Sequence, residues 1–151
     1  RVDQADFVGV EGLEYRAALK AAVRETIEEA GLDIGESQLI HTAHWTTPPH
    51  LPRRLCTWFF MCPVPRTATV VVDNDEILEH RWITPQAALA ASKAEEIVLP
   101  QPTKETLKGI AQISSVKALL DWAASTPVHI FPDDSPFYRP QEMGYSLSEP
   151  C

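Results

Sequence analysis

The stretch "RETIEEAGL", residues 24–32, sets three carboxylates, Glu25, Glu28 and Glu29, at offsets of three and four. On a helix, such offsets bring side chains onto one surface arc. Three carboxylates there offer hard oxygen donors, the ligands that Mg²⁺ and Mn²⁺ take, and Mg²⁺ keeps waters and bridges to substrate phosphates. Without a cation the placement is unfavourable. Like charges at these offsets repel by about 0.2–0.5 kcal/mol per pair, and each carboxylate in a last helical turn opposes the macrodipole by roughly 0.3–1 kcal/mol. Arg24, adjacent to Glu25 and four residues before Glu28, is placed to brace the cluster. A solvated acidic helix face is the plainer reading of E-x-x-E-E taken alone.

The element that must position these groups runs from Leu13 to Ala30 in helical pattern. At about 100° per residue, Leu19, Ala22, Val23, Thr26, Ile27 and Ala30 share one arc, the expected buried stripe, and the glutamates fall on another. Gly31 stands where a left-handed C-terminal cap is wanted. Extended segments follow: 38–45 and 55–64 are rich in aromatic and branched residues, and the Pro-rich loop "TTPPHLPRR" lies between them. Further strands are expected over 67–72 and 79–83, separated by the acidic turn "DNDEIL". Thr84-Pro85 reads as an N-cap with proline at the first helical position, opening a helix near 85–94. Helices are also expected over 102–113 and 116–124, broken at Ser114-Ser115. The last 26 residues hold five of the thirteen prolines and no periodicity. The organisation expected is therefore one α/β domain over 1–125 with a mixed sheet, then a Pro-rich tail over 126–151.

Composition narrows the function classes. With 151 residues, 44% hydrophobic and 23% charged, the chain can bury a real core. Its formal charge of −8 disfavours non-specific binding to nucleic acid or an anionic membrane, and suits a protein that gathers cations. No apolar run approaches the roughly 20 residues of a membrane span. Cys56, Cys62 and Cys151 form no C-x-x-C and leave one thiol over in any pairing. Two buried, reduced thiols at 56 and 62 are expected, and with them an intracellular setting, cytoplasmic or organellar. His41 and His44, three apart on a strand, should face opposite ways and make no paired metal site. Asp73-Asn74-Asp75-Glu76 has Leu78 where a calcium loop needs glycine, so it reads as a turn. The four tryptophans read as core.

The run from Arg24 to Leu32 resembles the second half of the Nudix box, R-E-U-x-E-E-x-G-U with U an apolar residue, with Thr26 at the first U. The first half departs from that pattern, with Arg16 at its glutamate position and Val10 at its glycine. A decayed site and a longer loop inside the box are both open explanations. The segments "RVDQADF", "HWTTPPHLPRRLCTWFFMCPVP", "EHRWITPQAAL" and "EIVLPQPTKETLKGIA" are similar in order to the subgroup named for nucleoside diphosphate-linked moiety X motif 19. That resemblance covers roughly residues 1–113. It implies a Nudix-type α/β/α sandwich whose first strands precede Arg1, with extra C-terminal helices. It further implies metal-dependent hydrolysis of a nucleoside diphosphate-linked substrate, and described members of the subgroup hydrolyse coenzyme A and its acyl esters. Carried over by position, Glu25, Glu28 and Glu29 would hold Mg²⁺ or Mn²⁺, and Glu28 could instead activate water. Arg24 would brace them. Read from the residues, Arg53 and Arg54 in the Pro-rich loop are the best cationic donors for the diphosphate, with a solvated loop pair as the alternative. Glu79 or Glu76 would orient or deprotonate the attacking water, with an exposed strand-edge charge as the alternative. The implied partner is a small nucleotide-linked molecule, with no nucleic acid or membrane, and a homodimer is an assembly open to it. A catalytically silent Nudix-fold module that binds a nucleotide or a protein is the alternative.

Overall fold

The structure is a computed structural model that describes residues 14–48, 50–53 and 55–135. Helix α1 spans Glu14–Ala30. Five of its first nine residues are alanine or leucine, good helix formers. It stops at Gly31, whose φ of +65° permits the left-handed cap, with the Gly31 N–H donating to the Ile27 carbonyl at 2.9 Å. A 3-10 turn at Glu36–Gln38 leads into strand β1, Ile40–Thr46. Strand β2, Cys56–Met61, returns antiparallel to it. Thr47 closes the loop between them: its N–H donates to the Leu55 carbonyl, and its Oγ1 bonds both the Leu55 N–H and the Arg53 carbonyl.

Helices α2 (Pro85–Lys93), α3 (Gln101–Ile110) and α4 (Val116–Ser125) follow. The threonine cap expected at Thr84 is in place, and the break expected at Ser114-Ser115 is where Ser115 caps α4. The Thr84 side chain accepts from the Ala87 N–H, and Ser115 from the Ala118 N–H. Gln86 of α2 donates to the Ala111 carbonyl, tying α2 to the end of α3. Strand β3, His129–Phe131, then pairs parallel with β1, so β1 is central in a three-stranded mixed sheet of order β2-β1-β3. The result is a mixed α/β domain. Among the described residues, no helix is long and apolar enough to cross a membrane.

Several expectations are corrected. The segments 67–72 and 79–83 join no ladder. Strand propensity becomes a strand only against a partner, and the Val71 N–H is instead spent on the Ala30 carbonyl at the end of α1, at 2.9 Å. Val71, Leu78 and Trp82 are left more than three-fifths exposed, so Trp82 is not core. Strand β3 lies within the segment read as a tail. On α1 the fully buried residues are Ala17, Ala18 and Ala21, while Ile27 of the expected stripe is 44% exposed. The buried face is thus turned toward the line that Glu25 and Glu29 continue. Cys56 is exposed and Cys62 half-buried, rather than both buried as expected, although both are free thiols.

The histidines are the most consequential correction. The β1–β2 register shifts between His41 and Ala43, so that His41 faces Phe60, Ala43 faces Phe59 and His44 faces Trp58. The extra residue, Thr42, resets the alternation, as a β-bulge does. His41 and His44 therefore share a face instead of opposing each other. Trp58 lies 5.2 Å from the first ring and 4.8 Å from the second, and Tyr15 of α1 packs against His41, Trp58 and Phe60. Both histidines are buried. Burial lowers each from 6.5 to about 4, with His44 adding to the effect on His41.

Candidate active site at the end of the first helix

The last two turns of α1 carry the acidic cluster because Gly31 ends the helix directly after it. Arg24 sits beside the carboxylates as its position suggests, 3.7 Å from Glu25 and 4.0 Å from Glu28. The Glu28 side chain is 64% exposed and that of Glu25 only 26%. Glu29 is half-buried. Its carboxyl is raised above the usual value, first by burial and then by the negative charges of Glu25, Glu76 and Asp73.

That last influence shows what the fold adds. The Val71–Ala30 hydrogen bond brings the segment after residue 71 to the helix C-terminus, and the acidic turn arrives with it. Within the turn, Asp73 accepts the N–H groups of Asp75, Glu76 and Ile77, which hold its carboxyl below the usual range. Asn74 takes φ of +60°, a conformation that asparagine tolerates better than most residues. The calcium-loop reading stays excluded and the turn is confirmed. Asp73 is engaged in shaping the loop, while Glu76 lends its charge to the Glu29 environment.

The other sequence candidates are dispersed. Arg53 is exposed in the β1–β2 loop, and Arg54 lies outside the described residues. Glu79 is exposed on the extended segment before α2. Val10, at the first-half glycine position, also lies outside the described residues, whereas Arg16 is exposed on α1. Among the described residues, no three His, Cys, Asp or Glu side chains are already gathered as a metal cage. The donor set nevertheless fits a hard cation: carboxylate oxygens from two turns of one helix, with a half-buried Glu29 whose ionised form is disfavoured by burial and by the neighbouring carboxylates. A cation there would offset that penalty. Glu76 was singled out from the sequence as a water-orienting candidate, but its influence on Glu29 was not legible, since nothing in the sequence showed that Val71 would bond to Ala30.

Comparison with known proteins gives one match. The family model described as the NUDIX domain matches residues 11–101, from just before α1 to the first residue of α3. No curated protein and no solved structure matches the chain.

Proposed function

Because the chain belongs to the Nudix family, we propose that it is a divalent-metal-dependent pyrophosphohydrolase acting on a nucleoside diphosphate-linked substrate at the end of α1. The observation that carries this reading is the charge arrangement around Glu29. The half-buried Glu29 carboxyl is raised by burial and by the negative charges of Glu25, Glu76 and Asp73, an effect a cation would relieve.

Glu25, Glu28 and Glu29 would hold Mg²⁺ or Mn²⁺, which supplies Lewis acidity toward phosphoryl oxygens. Arg24 orients the Glu25 and Glu28 carboxylates through its ion pairs with them. Glu28, the most exposed of the three, is placed to take a proton from water at a carboxylate oxygen, with Glu76 or Glu79 as the alternative acceptor. Arg53 lies on a loop closed by Thr47 and offers bidentate donors to the diphosphate, a role that Arg54, next in sequence, would share. The order of segments, similar to the moiety X motif 19 subgroup, favours coenzyme A or an acyl-CoA as that substrate.

The test is incubation of the full-length protein with CoA and Mg²⁺ or Mn²⁺. Release of 4′-phosphopantetheine with adenosine 3′,5′-bisphosphate is expected, and a Glu28→Gln variant should lose at least a hundredfold in rate. Turnover of other diphosphates but not CoA would overturn the substrate assignment alone. The second reading, a silent binding module, is favoured by Arg16 at the box's glutamate position. It predicts thermal stabilisation by nucleotides with no turnover of any.

A further inference from the structure

On the sheet face away from Tyr15 and α1, a cavity of about 540 Å³ opens between α3, α4 and the strands. That size lies within the usual range for small-molecule sites, roughly 300–1,000 Å³. Its walls include Trp122 of α4, Met61 of β2 and Val128, while Glu105 and Asp133 bring carboxylates to it. Gly109 of α3 also lines the cavity, and neither packing nor backbone conformation calls for glycine there. A Cβ built on Gly109 meets no heavy atom within 4 Å, and Gly109 is not among the positive-φ glycines. Gly109 sits in the last turn of α3, next to its final residue Ile110, and is a weaker helix former than alanine. What the missing side chain does provide is open width in the cavity wall.

The electrostatics select the ligand's sign. Lys108, one residue from Gly109, is bonded to the Glu105 carboxylate at 2.8 Å and offsets its charge, while Lys104, one residue from Glu105, is not among the described residues that line the cavity. The remaining charge at the cavity is that of Asp133, within a chain of formal charge −8. A diphosphate would be repelled, whereas an ammonium group attached to an aromatic ring would be attracted by the Asp133 carboxylate and by the Trp122 face. The geometry points to a second site, separate from the α1 carboxylates, that binds a small aromatic amine with its ring beside Trp122 and its ammonium toward Asp133. Helices α3 and α4 lie almost wholly beyond the matched residues 11–101, while Thr42, Ala43 and Met61 of the same cavity lie within them.

The test is titration of the full chain with 2-phenylethylamine, followed through the backbone amide signals of Gly109, Val128 and His129. Saturable shifts of those signals are expected, with 3-phenylpropanoate at least tenfold weaker. Gly109→Leu, which fills the cavity, should weaken the amine at least tenfold while Val128 and His129 keep folded positions. Trp122→Leu gives the same reading if Gly109→Leu does not fold. Absence of a saturable shift, equal response to amine and carboxylate, or unchanged affinity in both variants would overturn the proposal. So would cross-relaxation between Trp122 and residues 136–151 in the free protein, which would assign the cavity to the chain's own C-terminal segment.

Discussion

Replacing Gly31 by alanine tests how the fold assembles the acidic site. Gly31 has φ of +65°, a conformation costing an L-residue roughly 1–2 kcal/mol. The new Cβ would lie 3.1 Å from the Val71 Cβ and 3.3 Å from the Val71 carbonyl oxygen, so the 71–76 segment must give way by a few tenths of an ångström. Against this, alanine restricts the unfolded chain and returns about 0.4–1 kcal/mol. The net expectation is a loss of about 1–2 kcal/mol. With a urea slope of about 1.5 kcal/mol/M, that moves the unfolding midpoint down by about 1 M. Gly35→Ala is the control, because Gly35 has φ of −93° and its nearest heavy atom to an added Cβ is 3.5 Å away. It should change stability by less than 0.5 kcal/mol. The site itself provides a second readout. If Val71 is pushed from Ala30, Glu76 and Asp73 retreat from Glu29, and the Glu29 carboxyl titrates closer to its ordinary value by carbon-detected NMR. A Gly31→Ala protein as stable as Gly35→Ala, with Glu29 titrating unchanged, would refute the coupling between helix cap and acidic turn.

Four further outcomes follow from the same structure. Glu29→Gln should weaken Mn²⁺ binding by at least tenfold in calorimetry, and unchanged binding would remove Glu29 from the ligand set. Since Glu29 is raised in the folded state, its own contribution to stability is fully present below its unfolded value of 4.5 and is lost as pH rises through the folded value. Mn²⁺ selects the ionised form, so the metal-induced rise in Tm should be larger at pH 7.5 than at pH 5; an equal rise would exclude proton–metal competition at Glu29. His41 and His44 act in the opposite sense: their lowered values give stability present above 6.5 that is lost as pH falls through about 4, so urea midpoints should drop across that window and drop less in His44→Phe. Thr84→Ala, which removes the hydroxyl accepting from the Ala87 N–H, should cost about 1 kcal/mol in urea unfolding.

Features governed by local chemistry were legible in the sequence. Gly31, Thr84-Pro85 and Ser115 each mark a helix end through the atoms of one or two residues, and each stands where the pattern placed it. The spacing of Arg24 and the glutamates likewise required only helix geometry. Features depending on a distant partner were not legible. Residues 67–72 have the composition of a strand, yet the first partner their backbone meets is a helix terminus. His129–Phe131 lacks any periodic signal because three residues are too short to show one, and it becomes a strand through its pairing with β1. The single inserted residue at Thr42 reverses which way His44 points, and no residue type there announces a bulge.

The energetics of α1 show why an unfavourable charge pattern can persist. The pairs Glu25–Glu28 and Glu25–Glu29 together repel by about 0.4–1 kcal/mol. The dipole adds roughly 0.3–1 kcal/mol for each carboxylate of the last turn. The total is about 1–3 kcal/mol, and exposed ion pairs such as those of Arg24 recover little of it, since each is worth at most about 1 kcal/mol. A ligand at 10 to 100 times its dissociation constant contributes about 1.4–2.7 kcal/mol, the same range. A divalent cation at moderate saturation is therefore sufficient to balance the pattern. The backbone features meanwhile need no cation: the Gly31 cap, the Val71–Ala30 bond and the Asp73 turn are all satisfied within the chain. Shape is thus fixed by uncharged or internally paired groups, and the excess negative charge gathers around Glu29, where it can act on a ligand rather than on the fold.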